Sequence, residues 1–178
     1  MNDIFYYVRK YKIIPRQVCH GSLEFLKKEA WEPHLWYDHG KQESHNRPED
    51  LNIVFNNQLA SKIEPFVSLA VQSYQQEFGH LIYERTRLRF NRYEVGQKMD
   101  HHYDHIRDIF DGEKKGIPVL TILGIFNEDY EGGELVIADK HIKTKGGDIL
   151  VWPSCFLYPH EIKKVTKGTR YSFVSWGY

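Results

Sequence analysis

The chain has 178 residues, and its Lys plus Arg and Asp plus Glu totals are equal at 24 each, so size allows one domain with a true core and whole-chain charge points to neither nucleic acid nor an anionic membrane. An apolar fraction of 41% with 15% aromatics argues against disorder. No apolar run approaches a membrane span and the amino terminus lacks a signal-peptide pattern. Cys19 and Cys155 make neither a CxxC pair nor a disulfide framework, which leads to a reducing, cytoplasmic setting as the simplest expectation.

Ile4 to Ile14 is rich in aromatic and β-branched residues and reads as extended chain. Pro15 suits a helix start, and Cys19, Leu23, Leu26 and Ala30 recur at helical spacing, which predicts a helix over Arg16 to Ala30. Cys19 is then a buried apolar residue, not a reactive thiol. Trp31 to Asp50 has no period and reads as a surface loop anchored by its aromatics, with substrate recognition as the alternative role. Its histidines, His34, His39 and His45, show no ligand spacing. An apolar stripe from Leu59 through Ile63, Val67, Ala70 and Tyr74 to Phe78 predicts a helix over Asn57 to Phe78, stopped by Gly79 and either kinked at Pro65 or beginning there.

From Thr86 the period is that of strands, near Leu88–Arg92, Met99–Tyr103, Val119–Phe126, Glu134–Ala138, Ile149–Trp152, His160–Lys163 and Arg170–Ser175. Gly132-Gly133, Gly146-Gly147 and Lys167-Gly168 supply the turns. Val119–Phe126 is apolar on both faces, as a covered central strand would be. The polar stretch from His105 to Pro118 reads either as a flap or as an ordinary connection. The pattern predicts a mostly β fold with some α: a distorted double-stranded β-helix, or jelly roll, buttressed by N-terminal helices.

The chemistry concentrates in the strands. His102 and Asp104 are two apart, so on an extended chain both aim at one point, and His160 would join them from a strand remote in sequence. Two imidazoles and a carboxylate on one side of a metal form a facial triad that suits non-haem Fe(II). Neighbouring His101, His105, Asp100 and Asp108 do not satisfy the His-x-Asp spacing. Arg170 follows His160 on a later strand, where its guanidinium can grip a carboxylate, and Ser172 shares its face. Zinc hydrolase chemistry would use the same ligand types but leaves Arg170 unexplained.

Several motifs in order give the chain its resemblance to the Fe(II)/2-oxoglutarate-dependent dioxygenases, in their prolyl 4-hydroxylase-like branch. They are Tyr93-x-x-Gly96, His102-x-Asp104, Gly132-Gly133-Glu134-Leu135, Gly147-Asp148-Ile149-Leu150, Trp152-Pro153-Ser154, Pro159-His160-Glu161 and Gly168-x-Arg170-Tyr171-Ser172, with Trp176 beyond. The likeness spans Leu88 to Tyr178.

The resemblance implies one oxygenase domain over residues 1–178, with 1–86 as helical support and 87–178 as the catalytic jelly-roll core. His102, Asp104 and His160 would hold Fe(II). Arg170 would clamp the far carboxylate of 2-oxoglutarate, with Tyr93 as an added donor and Ser172 and Thr121 as weaker candidates. O2 is the further co-substrate, and ascorbate is a candidate cofactor. The implied reaction hydroxylates an amino-acid side chain, foremost a prolyl residue in a peptide or protein, and yields succinate and CO2. The alternatives are a hydroxylase of a free amino acid or small metabolite, and a non-catalytic jelly-roll binding protein with a structural metal. No nucleic-acid or membrane partner is indicated. The chain departs from the pattern in two places: Ile125 stands where oxygen-sensing members carry a tyrosine that touches 2-oxoglutarate, and Arg170 stands where collagen-type members carry lysine. Trp152 and Trp176 are expected in the core, and His20, His80 and His141 on the surface.

Overall fold

The structure, a computed structural model, describes residues 3–38, 41–105, 109–111 and 114–178. Of the stretch from His105 to Pro118, read as either a flap or an ordinary connection, residues 106–108 and 112–113 lie outside the described residues. Eleven strands and two helices carry the argument. They are β1 (Arg9–Lys12), α1 (Arg16–Leu26), β2 (Glu32–Pro33), β3 (Asn52–Val54), α2 (Asn57–Phe78), β4 (Arg89–Tyr93), β5 (Met99–His102), β6 (Leu120–Ile125), β7 (Leu135–Ile137), β8 (Lys140–Ile142), β9 (Asp148–Pro153), β10 (His160–Ile162) and β11 (Arg170–Gly177).

A seven-stranded sheet runs β1-β9-β6-β11-β4-β3-β2, and a four-stranded sheet runs β8-β7-β10-β5. The ladders are antiparallel, and the two sheets make the expected jelly roll. β6 lies between β9 and β11 with all six residues buried, which explains its apolar character on both faces. The amino-terminal strand β1 pairs with β9 from Arg9↔Val151 to Lys12↔Asp148, so the start of the chain is part of the main sheet. Before it, Ile4–Tyr7 is a short 3-10 helix where extended chain was expected.

Strand alternation divides the core in two. Phe90, Ile122, Ile149, Val151 and Phe173 point to the helices, where they meet Leu26, Leu59, Ile63, Val67 and Tyr74. Tyr93, Leu123, Ile125, Leu150, Trp152 and Val174 point the other way, toward Met99, Leu135, Ile137 and Ile162 of the smaller sheet. Each fully buried Leu, Ile or Phe contributes roughly 1.5–3 kcal/mol.

α2 has the expected bounds. Asn56 caps it by accepting from the Leu59 amide at 2.8 Å, so it starts ahead of Pro65, not at it. α1 stops at Leu26, short of the expected Ala30. The Trp31 indole donates to the Leu26 carbonyl at 3.0 Å, and Lys28 and Glu29 turn back onto Phe25 and Leu26. A tertiary anchor therefore ends a helix whose apolar spacing would carry it further. Cys19 is buried, and burial pushes its thiol up to about 11, in keeping with a packing role.

Gly124 on β6 sits opposite Phe173, and a Cβ there would overlap the Phe173 ring. Gly124→Ala is expected to cost about 1–3 kcal/mol by overpacking, a drop in Tm of several degrees that a thermal melt measures.

Candidate active site

The ligand geometry arises from one register pair. β5 and β10 are neighbours, and His102 stands directly opposite His160. The two rings lie 4.4 Å apart between centroids. Asp104 follows two residues past His102, just beyond the end of β5, and closes the group. His102 Nε2 is 3.5 Å from Asp104 Oδ1, and His160 Nε2 is 3.5 Å from Asp104 Oδ2. The three ligand atoms lie within 4.8 Å of one another.

Hydrogen bonding sets the tautomers for metal binding. His102 Nδ1–H donates to the Asp100 carbonyl at 2.7 Å, and His160 Nδ1–H donates to the Tyr158 carbonyl at 3.2 Å. Both Nε2 atoms therefore offer lone pairs toward Asp104. The Thr121 hydroxyl, reaching from the opposite sheet, donates to Asp104 Oδ2 at 2.6 Å. Burial works to raise the Asp104 carboxyl, but His160, His102 and Thr121 outweigh it and hold the group well below the usual carboxylate range. Burial lowers the His160 imidazole. At His102 the negative charge of the neighbouring Asp104 overcomes burial and raises it. A poised carboxylate with two oriented imidazoles fits a divalent cation.

Arg170 is fully buried on β11, where it pairs in register with Tyr93 of β4. Gly133, at a φ of 64°, leaves room for it, since a Cβ there would press on Arg170 Cδ at 3.1 Å. The Arg170 guanidinium lies 5.1 Å from the Tyr93 ring, and Nη1 donates to Ser172 Oγ at 2.8 Å. Nε and Nη2 have no hydrogen-bond partner among the described residues. A buried guanidinium with idle donors is costly unless an anion completes it, and a carboxylate fits that fork.

A cavity of about 40 Å³ lies at the triad, lined by His102, Asp104 and His160 together with Tyr93, Thr121 and Trp152; Arg170 is not part of its lining and meets it only through its register partner Tyr93. A larger one of about 620 Å³ lies elsewhere, between Lys10, Tyr130 and Lys145, but its walls mix Lys and Glu without converging on the triad. We place the chemistry at the smaller one because the titratable groups meet there.

The sequence-expected residues are thus found in distinct situations. His102, Asp104 and His160 converge. Tyr93 lines the cavity, while Ser172 and Thr121 spend their hydroxyl groups on Arg170 and Asp104. Ile125 is buried in the core between the sheets. His101, Tyr103 and His105 are exposed, as are His20, His80 and His141. Trp152 is buried beside His160 at 5.2 Å between ring centroids. Trp176 departs from a pure core role, because it is half-buried and lines the cavity.

Sequence reasoning missed three neighbours. Trp36 sits 6.0 Å from the His102 ring, brought there by a hairpin of Trp36–Asp38 with Glu43–His45 inside the supposed loop. His34 is buried against Trp36, and Arg89 faces the cavity from β4. Burial, then the charges of Arg89 and His102, drive the His34 imidazole down to about 3 from the ordinary 6.5. Between those values the unfolded chain takes up a proton that the folded one refuses. Stability is therefore full above about pH 6.5 and falls as pH drops below it. Urea midpoints at about pH 7 and about pH 5 should differ less in His34→Gln than in the wild type.

An antiparallel jelly roll with helices on one sheet and a His–Asp–His cluster between its sheets defines the class of fold. A family model of the 2OG-Fe(II) oxygenase superfamily matches residues 88–178, and the chain belongs to that family of oxygenases. A PKHD-type hydroxylase of Pseudomonas aeruginosa (strain LESB58) is 37% identical over 94 residues, which cover 49% of this chain and 41% of the relative. Another, from Paraburkholderia xenovorans, is 38% identical over 93 residues, or 49% of this chain and 40% of the relative. The match thus spans less than half the length of these curated relatives. Among solved structures, a prolyl hydroxylase from Trichoplax adhaerens, in complex with a hypoxia inducible factor peptide fragment, superposes with a TM-score of 0.71 at 18% identity over 97% of this chain and 83% of that one. A prolyl-4-hydroxylase of Pseudomonas putida gives 0.70 at 16% identity over 96% and 91%. At those identities the likeness is one of fold. Among the described residues no helix is long and apolar enough to cross a membrane.

Proposed function

We propose that this protein is an Fe(II)- and 2-oxoglutarate-dependent hydroxylase of an amino-acid side chain, with a prolyl residue in a peptide or protein as its leading substrate. The observation that carries the reading is Arg170, buried with idle donors on the sheet face that also supplies Tyr93 and Thr121. In this reading His102, Asp104 and His160 hold ferrous ion. Arg170 binds the distal carboxylate of 2-oxoglutarate, and Tyr93 assists. Ser172 orients Arg170, and Thr121 fixes the Asp104 carboxylate, both as positioning residues. The bound iron, with 2-oxoglutarate and O2, supplies the oxidising power, and succinate and CO2 are the co-products. Ascorbate would keep the iron ferrous. The protein supplies ligand orientation, a neutral Nε2 on each histidine, and walls that exclude water. The 40 Å³ cavity is smaller than the co-substrate, so binding requires its lining side chains to give way.

Hydroxylation is supported by family membership and by the PKHD-type hydroxylase relatives, and proline by the prolyl hydroxylase fold neighbours. A single unit over 1–178 is supported by the pairing of β1 with β9. A cytoplasmic setting suits the supply of ferrous ion and 2-oxoglutarate. Incubation of proline-containing peptides with Fe(II), 2-oxoglutarate and ascorbate should form succinate and add one oxygen to the substrate by mass spectrometry. No 2-oxoglutarate binding in calorimetry would instead favour a non-catalytic jelly roll with a structural metal. A second reading, hydroxylation of a free amino acid or small metabolite, is favoured by one residue, Arg89.

A further inference from the structure

A second cavity, of about 240 Å³, borders the one at the triad. Its walls include His34, Ile53, Phe55 and Thr86, and it shares Arg89 and Trp176 with the cavity at the metal ligands. Arg89 therefore stands between the reacting centre and the space where a substrate would lie. It is held there firmly: Nε donates to Asn91 Oδ1 at 3.1 Å, and the guanidinium stacks 5.0 Å from the Trp176 ring. It forms no ion pair among the described residues.

None of the nearby acids among the described residues forms an ion pair with Arg89. Asp104 is committed to His102, His160 and Thr121. Asp50 is buried, accepts from the Trp36 indole and lines neither cavity. Glu32 is exposed at the wall of the second cavity. His34, on the same wall, is held neutral by burial and by Arg89 itself, so it adds no second positive charge. Burial also presses the Arg89 guanidinium below its ordinary value, against the pull of Tyr93 and Asp104. A guanidinium stays charged at any working pH, and among the described residues this one has no ion-pair partner at the mouth of the site.

Resting on the reading above, we infer that Arg89 is a specificity-determining residue that binds a carboxylate of the substrate and so presents the neighbouring carbon to the iron. The fork geometry suits two parallel hydrogen bonds to a carboxylate. Arg87 lines the second cavity as well, but only Arg89 also faces the metal ligands. Ile53, Phe55 and Trp176 provide an apolar bed for the substrate carbons. Such a carboxylate belongs to a free acid, to a chain terminus or to an acidic side chain. An internal prolyl residue has none of its own.

The test compares matched acid and amide probes on the full chain loaded with Mn(II), which halts turnover, under saturating 2-oxoglutarate. N-acetyl-L-proline against N-acetyl-L-prolinamide represents a free or terminal carboxylate. N-acetyl-L-aspartate N-methylamide against its asparagine counterpart represents a side chain. Ligand-observed NMR should find one acid bound about 10- to 100-fold more tightly than its amide, as expected for a charge-assisted hydrogen-bonded pair. Arg89→Gln should erase that preference and Arg89→Lys should retain part of it. If no acid exceeds its amide on the wild type, or if the preference survives in Arg89→Gln, the inference is overturned. Failure of the wild type to bind 2-oxoglutarate overturns the oxygenase reading instead. An acid preference lost in Arg89→Gln would still support the carboxylate site.

Discussion

Asp104→Ala is expected to abolish ferrous-ion binding and with it all 2-oxoglutarate-dependent succinate formation. Asp104 is the one anionic member of the cluster, and it faces both imidazoles at 3.5 Å. Loss of an outer hydrogen-bond partner of a metal ligand already costs about 10- to 100-fold in affinity, and loss of the carboxylate itself should cost more. Asp104→Asn keeps the shape but not the charge and should fail almost as badly. The fold should survive, because His102 and His160 are anchored through Nδ1 to backbone carbonyls and not through Asp104. Calorimetric titration with the metal, alongside a circular dichroism spectrum, separates the two effects. Full turnover by Asp104→Ala would show that the ligands are other residues. By contrast, Thr121→Val should keep the metal but weaken it by about 10- to 100-fold, since only an outer bond to Asp104 Oδ2 is lost.

The second large effect lies at Arg170. Arg170→Ala should raise the Kd for 2-oxoglutarate by upwards of about 30-fold, because truncating one partner of a buried charge pair costs roughly 2–5 kcal/mol. Metal affinity should hardly change, since Arg170 makes no ion pair with the triad. A stability measurement adds an independent reading. A buried cation with Nε and Nη2 idle is a burden to the unliganded fold, so Arg170→Met should leave Tm equal or higher when 2-oxoglutarate is absent. Adding 2-oxoglutarate should raise Tm in the wild type and much less in the variant. A purely structural arginine would give the opposite result: a lower Tm in the variant and an unchanged response to 2-oxoglutarate.

The parts of the site written in short spacings are legible in the sequence alone. His102 and Asp104 are two apart, His160 opens its own strand, and Gly168-x-Arg170 follows a turn, so strand geometry alone brings them to definable faces. The helix from Asn57 to Phe78 was equally plain from its stripe. What the pattern hid was the inward polar face of β4. Polar Arg89 and Asn91 alternate with Phe90, which suggests a solvent face by the usual rule. In the fold Phe90 meets the helices, while Arg89, Asn91 and Tyr93 line the cavity between the sheets. The rule fails there because the second face is a binding site, which needs polar groups indoors. Trp36 and His34 were hidden for another reason. Their segment has no periodicity, and only the pairing of Trp36 with His45 and of β2 with β3 carries it to the site. Trp31 likewise ended α1 through a contact that no local propensity encodes.

The central claim is that three side chains from β5, its trailing residue and β10 share one ferrous ion. Anomalous scattering at the iron edge from anaerobically grown, Fe(II)-loaded crystals tests it most directly. The account requires a single strong peak within bonding distance of His102 Nε2, His160 Nε2 and the Asp104 carboxylate, absent from Asp104→Ala crystals. A peak on other residues, or one that persists unchanged in that variant, would contradict it.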